Sequence, residues 1–63
     1  MKFKDLEKIL KIDGWILKDL RGSHYQYIHR LKSGKITVPR HNGGNLNIKT
    51  AKTILKQAGI TMK

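Results

Sequence analysis

Three histidines, His24, His29 and His41, are the side chains of this 63-residue sequence that titrate near neutral pH. The chain has no cysteine, which excludes thiol nucleophiles and thiolate zinc sites. His24 and His29 are an odd number of positions apart, so on one regular strand their rings point to opposite faces and cannot share an ion. Only four carboxylates are available to complete a metal site. We therefore expect no metal ion and no cofactor.

His24 is the candidate for acid–base chemistry, because it follows the small turn residues Gly22 and Ser23. Cleavage of RNA without a metal needs a base for the 2′-hydroxyl proton, a proton donor for the leaving 5′ oxygen, and cations beside the phosphate. An imidazole at the start of a strand, among cations, suits the first of these roles. A histidine that is hydrogen-bonded across a hairpin is the alternative, and the residue types leave both open.

The charge of the chain favours a polyanionic partner. Lys and Arg number 14 against four Asp and Glu, which gives a net charge of +10. Nucleic acid is the first candidate and an acidic protein the second. A solvated basic surface, with His41 as an ordinary loop histidine, is the alternative. The residues that we predict to contact RNA are Arg21, Gly22, Ser23, Arg30, Lys32, Lys35, Arg40 and His41.

The length allows one small domain, residues 1–63, and the 38% hydrophobic content is typical of a folded chain. Residues 1–15 mix charged and apolar side chains and lack the unbroken apolar stretch of a signal peptide. The apolar cluster at residues 15–17 is too short to cross a bilayer. We expect a cytoplasmic protein with no membrane contact.

Two amphipathic helices are predicted at the ends of the chain. Apolar residues at helical spacing predict the first over Lys2–Ile12, with Gly14 in the left-handed conformation after its last turn. The second is predicted to begin after the N-cap Asn47 and to be closed by Gly59, with Ile60 folding back over its last turn.

Three strands are predicted between the helices, over Trp15–Arg21, His24–Leu31 and Ile36–Val38. Gly34 suits the hairpin turn before the last strand, and Pro39 ends it. The sequence therefore predicts an α+β fold of order α-β-β-β-α, a three-stranded antiparallel sheet with both helices packed on one face. The opposite face of the sheet is left open to solvent or to a partner.

Four blocks of the sequence belong together: Gly14-Trp15, then Gly22-Ser23-His24 with Tyr27 and His29, then residues 38–41 (Val-Pro-Arg-His), and finally residues 54–60. In order and approximate spacing, these blocks resemble the HicA toxin family. Two positions depart from the family: Asp19 stands where related sequences often carry a basic residue, and Arg30 stands where they often carry a proline soon after the residue that matches His29.

The resemblance implies the toxin of a type II toxin–antitoxin system, with a double-stranded-RNA-binding-like fold. Such toxins are mRNA interferases that cleave mRNA without a metal, using the histidine that matches His24. Their partner is a HicB-type antitoxin, which covers the active site and represses the operon with the toxin, so that DNA is contacted only through the antitoxin. A non-catalytic RNA-binding module of the same fold is the alternative function, and a basic surface for an acidic protein is a third.

Overall fold

The computed structural model describes residues 1–40 and 44–60, so the predictions made for His41 lie outside the described residues. It confirms the α+β fold, because a helix at each end of the chain flanks a three-stranded antiparallel sheet. The elements in chain order are α1 (Phe3–Asp13), β1 (Trp15–Arg21), β2 (His24–His29), β3 (Lys35–Pro39) and α2 (Ile48–Gln57).

The register of the sheet decides which side chains face the helices. The strand order is β1-β2-β3, and Tyr27 in the central strand lies opposite Leu17 on β1 and Ile36 on β3. Residues directly opposite share a face, and successive residues alternate between faces. Tyr27 and Ile36 are buried, so this row belongs to the inner face. On β2, the alternate residues His24, Gln26 and Ile28 therefore belong to the outer face.

One hydrophobic core joins both helices to the inner face of the sheet. Both helices contribute buried side chains to it, as their apolar spacing predicts. Trp15 and Tyr27 are buried in this core, so neither is available to stack on a base. The core consists of Phe3, Leu6, Leu10, Trp15, Tyr27, Ile36, Val38, Leu46, Ile54, Leu55 and Ala58.

The helix ends confirm the capping predictions. The Asn47 side chain accepts a hydrogen bond from the Lys49 amide at 2.8 Å, which satisfies a free N–H in the first turn of α2. Gly59 takes a left-handed conformation with φ +72°, and the Ile60 amide donates to the Leu55 carbonyl at 2.9 Å. This 6→1 bond, with Ile60 packed against the core, closes the helix.

The second strand is shorter than predicted: it ends at His29 and not at Leu31. The cause is the His29 ring, whose Nδ1 accepts hydrogen bonds from the amides of Leu31 at 3.0 Å and Lys32 at 3.1 Å. Because these two amides bond to the ring, they are not available for hydrogen bonds between strands. The third strand in turn includes Pro39, which an edge strand tolerates.

Tyr27 and Glu7 link the sheet to α1, and we expect this link to set the alkaline limit of the fold. The Tyr27 hydroxyl donates to Glu7 Oε2 at 2.5 Å. Burial, and then the hydrogen bond to Glu7, raises the pKa of Tyr27 well above its usual value of 10. A raised pKa in the folded state stabilises the fold fully below the unfolded pKa, near 10, and that contribution is lost as the pH rises toward the folded value.

Tyr27→Phe is accordingly expected to lower the free energy of unfolding by about 1–2 kcal/mol at pH 7. Above pH 10 the wild type loses up to about 1.4 kcal/mol per pH unit that the variant, which has no hydroxyl, does not lose. Urea unfolding at several pH values from 7 to 11 measures both proteins, and deprotonation of lysines affects the two alike. A stability difference that stays constant through pH 11 would contradict the expectation.

Candidate active site

His24 is the first residue of β2 and lies exposed on the outer face of the sheet. The two residues before it, Gly22 and Ser23, form the whole turn between β1 and β2. Gly22 has φ +59°, the positive value that a two-residue hairpin turn of type II′ requires at its first position. The imidazole therefore stands at one end of the sheet, next to a turn with no bulky side chain.

Arg40 holds this turn in place through its backbone. Its amide donates to the Ser23 carbonyl at 2.7 Å, which ties the segment after β3 to the β1–β2 turn. Its side chain runs to the helix side of the sheet, where Nη1 donates to the Tyr25 hydroxyl at 3.0 Å and the guanidinium lies 5.1 Å from the centre of the Phe3 ring. Arg40 thus flanks the end of the sheet that carries His24, on the side opposite to the imidazole.

Arg21 is the cation nearest to His24 in the register, since the two residues are direct partners across the β1–β2 pair. Its Nε donates to Asp19 Oδ2 at 2.9 Å, and the Leu20 amide donates to the other carboxylate oxygen at 2.8 Å. The hydrogen bond from Arg21, and then that from Leu20, lowers the pKa of Asp19. Asp19 is therefore ionised at neutral pH and orients the Arg21 guanidinium along the outer face.

A bulge in β1 gives Asp19 this position. The register shifts between Leu17 and Asp19, so Lys18 is an extra residue with no partner on β2. A bulge bends the strand and changes the direction of its side chains. With Asp19 opposite Gln26 and Arg21 opposite His24, both members of the ion pair lie on the outer face.

Three of the predicted RNA contacts, Arg30, Lys32 and Lys35, lie at the other end of the sheet. Lys35 is the partner of Ile28, four residues along the strand from His24, or roughly 13 Å away. Arg30 follows the end of β2 and is exposed there. The structure thus brings Arg21, Gly22 and Ser23 close to His24 and places Arg40 beside the turn. Arg30, Lys32 and Lys35 lie away from His24.

Lys32 has structural contacts of its own. Its Nζ lies 2.6 Å from Asp13 Oδ2 and 2.8 Å from the Ala58 carbonyl oxygen, so it joins the C-terminal ends of the two helices. The hydrogen bond from Lys32 is the main reason that the pKa of Asp13 is lowered. Since its one ammonium group bonds both of these oxygens, Lys32 has little left for a phosphate, whereas Arg21 bonds Asp19 through Nε and keeps its Nη groups for one.

His29 lies on the inner face, as the odd spacing from His24 predicts, and its side chain is only 7% exposed. It shares the face of Tyr27 and is fully used in hydrogen bonds within the fold. Across residues 1–40 and 44–60 no three His, Cys, Asp or Glu side chains come together. No helix in these ranges is long and apolar enough to cross a membrane.

Gln26 and Thr37 form the next outer-face row beside His24, and neither is among the residues predicted from the sequence. Strand alternation could have indicated both, because each lies between inner-face residues. The contact of Asp19 with Arg21 is not predictable in this way, because it depends on the bulge. Together with His24 they form an open surface with an acid–base group at one end and an oriented guanidinium next to it. Such a surface can bind a phosphodiester and transfer a proton to or from it.

Comparison with known proteins gives the family. Residues 3–60 match the model of the family described as HicA toxin of bacterial toxin-antitoxin, which is nearly the whole chain. No curated protein matches the chain. The matched range includes the complete helix–sheet–helix arrangement and the turn that presents His24. The chain therefore belongs to the HicA toxin family, the toxins of bacterial toxin–antitoxin pairs.

Proposed function

We propose that this toxin is a metal-independent endoribonuclease that cleaves mRNA in the cytoplasm, with His24 as its catalytic histidine. The observation that supports this most is the placement of an exposed imidazole directly opposite Arg21, at the end of a sheet face that neither helix covers in the part of the chain that the structure describes. A histidine with a structural role would have partners in the fold, as His29 has.

In the reaction, His24 accepts the proton of a ribose 2′-hydroxyl. The 2′ oxygen then attacks the adjacent phosphorus, and the bond from phosphorus to the 5′ oxygen breaks. The products are a 2′,3′-cyclic phosphate and a 5′-hydroxyl end, the latter after the leaving oxygen has taken a proton from solvent water; His24 then releases its own proton to the solvent. Arg21 stabilises the extra negative charge on the phosphorane, where a pre-oriented cation is most effective.

The geometry supports several of the proposed RNA contacts. Arg21 approaches the phosphate from the outer face, and Gly22 and Ser23 allow the backbone of the RNA to come close to the turn. Arg40 adds positive charge from the other side of the sheet end. RNA that extends along the sheet would reach Lys35 at its far end, about four strand residues away.

The proposed protein partner is a HicB-type antitoxin. An inhibitor that covers an exposed imidazole on a basic, open face must bring acidic or apolar surface to it, since the toxin carries a net charge of +10. By binding the folded toxin, an acidic partner would also raise its melting temperature. Any contact with operator DNA would be made through the antitoxin.

The test is incubation of the pure toxin with single-stranded RNA in excess EDTA. We expect cleavage, with 2′,3′-cyclic phosphate ends that are identified by mass spectrometry of the products. Tight binding of duplex RNA with every strand intact would instead indicate a non-catalytic RNA-binding module. Cleavage that is lost in EDTA and regained with Mg²⁺ would show that the metal-free mechanism is wrong.

A further inference from the structure

The charges of this protein are divided unevenly along the chain. All four carboxylates, Asp5, Glu7, Asp13 and Asp19, lie in the first 19 residues, whereas residues 20–63 carry nine Lys and Arg and no carboxylate. α1 packs beside β1 and α2 beside β3. The charge is therefore unevenly distributed in the folded protein as well, because α2 and β3 contribute lysines and neither element contains a carboxylate.

The three lysines of α2, Lys49, Lys52 and Lys56, form a lysine stripe along one side of the helix. Lys49, Lys52 and Lys56 occur at i, i+3 and i+7, so they share one side of the helix, and all three are exposed. The stripe is roughly 10 Å long at 1.5 Å per residue. α1 has a similar series of lysines, but Glu7 lies next to it and pairs with Lys11 at 3.7 Å.

A shallow groove connects this helix to the candidate active site. It lies between β3 and α2, encloses about 350 Å³, and so is at the small end of the range for ligand sites. Pro39 in its wall is the direct partner of His24, and Thr37 is the partner of the next outer-face residue. The remaining wall is formed by α2: Lys49, Thr50, Thr53, Ile54 and Gln57. Of the lysine stripe, Lys49 lines the groove itself, whereas Lys52 and Lys56 border a hollow on the other flank of α2. RNA that leaves the groove must therefore cross the exposed side of α2 to reach them.

We propose that this groove and the lysine stripe of α2 bind the sugar–phosphate backbone of the RNA segment that flanks the one at His24. The proposal rests on the proposed function, because it places the groove next to the cleaved phosphodiester. Lysines, threonine hydroxyls and a glutamine amide without a carboxylate are the groups that contact nucleic-acid backbones.

The Thr53 hydroxyl gives the groove a feature suited to ribose. It donates to the Lys49 carbonyl at 2.9 Å, so its oxygen is left as an acceptor. A ribose 2′-hydroxyl can donate to such an acceptor, whereas a carboxylate of an acidic protein cannot. Of the two polyanionic partners, the groove therefore favours RNA.

The subsite is expected to affect binding and not the chemical step. It contacts RNA equally before and during the reaction, and binding of that kind lowers KM without raising kcat. Its effect should therefore appear with long RNA, which reaches the groove from His24, and be absent with a dinucleotide, which does not.

The experiment compares two triple variants with the same loss of charge: K49Q/K52Q/K56Q on α2, and K4Q/K8Q/K11Q on α1 as the matched control. All six lysines are exposed, so both variants should fold, and their melting curves verify this. Binding of an unmodified RNA 12-mer is measured from 50 to 200 mM salt, with each triple variant and its reference carried in the His24→Ala background, which slows cleavage and leaves the ribose 2′-hydroxyls available to Thr53. Cleavage of a 12-mer and of a dinucleotide is measured in parallel.

For the α2 variant we expect the log–log salt slope to become shallower by about 2, since each phosphate contact to a single strand contributes about 0.7. Its KM for the 12-mer should rise at least about tenfold, with dinucleotide cleavage within about twofold of the wild type. For the α1 variant we expect a slope change below about 1. K49Q alone should change the slope by about 0.7 and provides the same test if the triple variant does not fold.

Equal losses in the two triple variants would overturn the proposal, because net charge alone would then explain the binding. Unchanged RNA affinity together with weaker binding of the antitoxin would overturn it in favour of a protein-binding surface. If the wild type binds RNA without cleaving it while the α2 variant still loses slope, the proposed catalysis fails and the binding surface stands. The two proposals can therefore fail separately.

Discussion

His24→Ala is expected to lower the rate of RNA cleavage by about 10²–10⁴-fold, the usual contribution of one general acid–base group. The substitution removes the proposed acceptor of the 2′-hydroxyl proton. It leaves Arg21 held by Asp19 and the turn held by Arg40, so RNA binding should persist. Single-turnover cleavage with toxin in excess measures the chemical step, and growth arrest on expression should be lost in parallel.

The outer-face position of His24 allows a loss of catalysis to be distinguished from a loss of folding. The side chain is exposed, so its truncation should change the melting temperature by no more than a few degrees. Gln26→Ala, on the same face of the same strand, is the matched comparison: it removes a neighbouring contact but no acid–base group, so its loss of cleavage should be far smaller than that of His24→Ala. Because the vacated position is open to solvent, added imidazole should restore part of the activity of His24→Ala. Undiminished cleavage or toxicity in His24→Ala would show that the proposed mechanism is wrong.

The fold could be predicted from the sequence because each element carries a local signal that agrees with the global arrangement. The apolar stripes of the helices, the caps at Asn47 and Gly59 and the Gly22-Ser23 turn are all short-range features. The end of β2 could not be predicted, because it depends on two amides bonding to the ring of His29, a contact that no periodicity indicates.

The candidate site could be predicted only where it is local in sequence. Arg21, Gly22, Ser23 and His24 are consecutive, so the hairpin alone brings them together. The remaining cations were grouped with His24 by charge, and charge does not specify which end of a strand a residue occupies. Lys32 shows the difficulty, since its contacts with Asp13 and Ala58 join segments that are 19 and 26 residues away in the chain.

Of the glycines that the structure describes, Gly14 is the one at which substitution by alanine is expected to destabilise the protein most. Gly14 follows α1 with φ +106°, a conformation that L residues rarely adopt. A Cβ on Gly14 would also lie 2.8 Å from Nε2 of His29. Backbone strain of about 1–3 kcal/mol therefore adds to a steric clash.

His29 cannot move away from this methyl group at low cost. Its Nε2 lies 2.7 Å from the Asp13 carbonyl oxygen, and its Nδ1 accepts two amides, so Nε2 must be the protonated nitrogen and donate. The ring also packs edge-to-face on Trp15, with centroids 5.1 Å apart. Displacement of the ring would break all of these contacts. Gly14→Ala should therefore lower the free energy of unfolding by about 3 kcal/mol or more.

For a chain of this length, a loss of 3 kcal/mol corresponds to a fall in melting temperature of roughly 12–24 °C. Gly22→Ala is the matched control for the clash, because Gly22 also has a positive φ, +59°, but a Cβ there meets no atom of the described residues within 4 Å. It should cost its backbone strain alone, about 1–3 kcal/mol. Circular dichroism and the fluorescence of Trp15 report unfolding of both variants.

A double-mutant cycle with His29→Ala separates the two causes of the Gly14→Ala loss. If the ring is the obstacle, removing it abolishes the clash, and the second substitution then costs only its backbone strain. The coupling energy should accordingly be favourable, about 1–2 kcal/mol, the part of the cost that is steric. A coupling energy of zero would mean that φ alone makes Gly14 necessary. In that case the His29 ring, although it lies against Gly14, would place no steric restriction on that position.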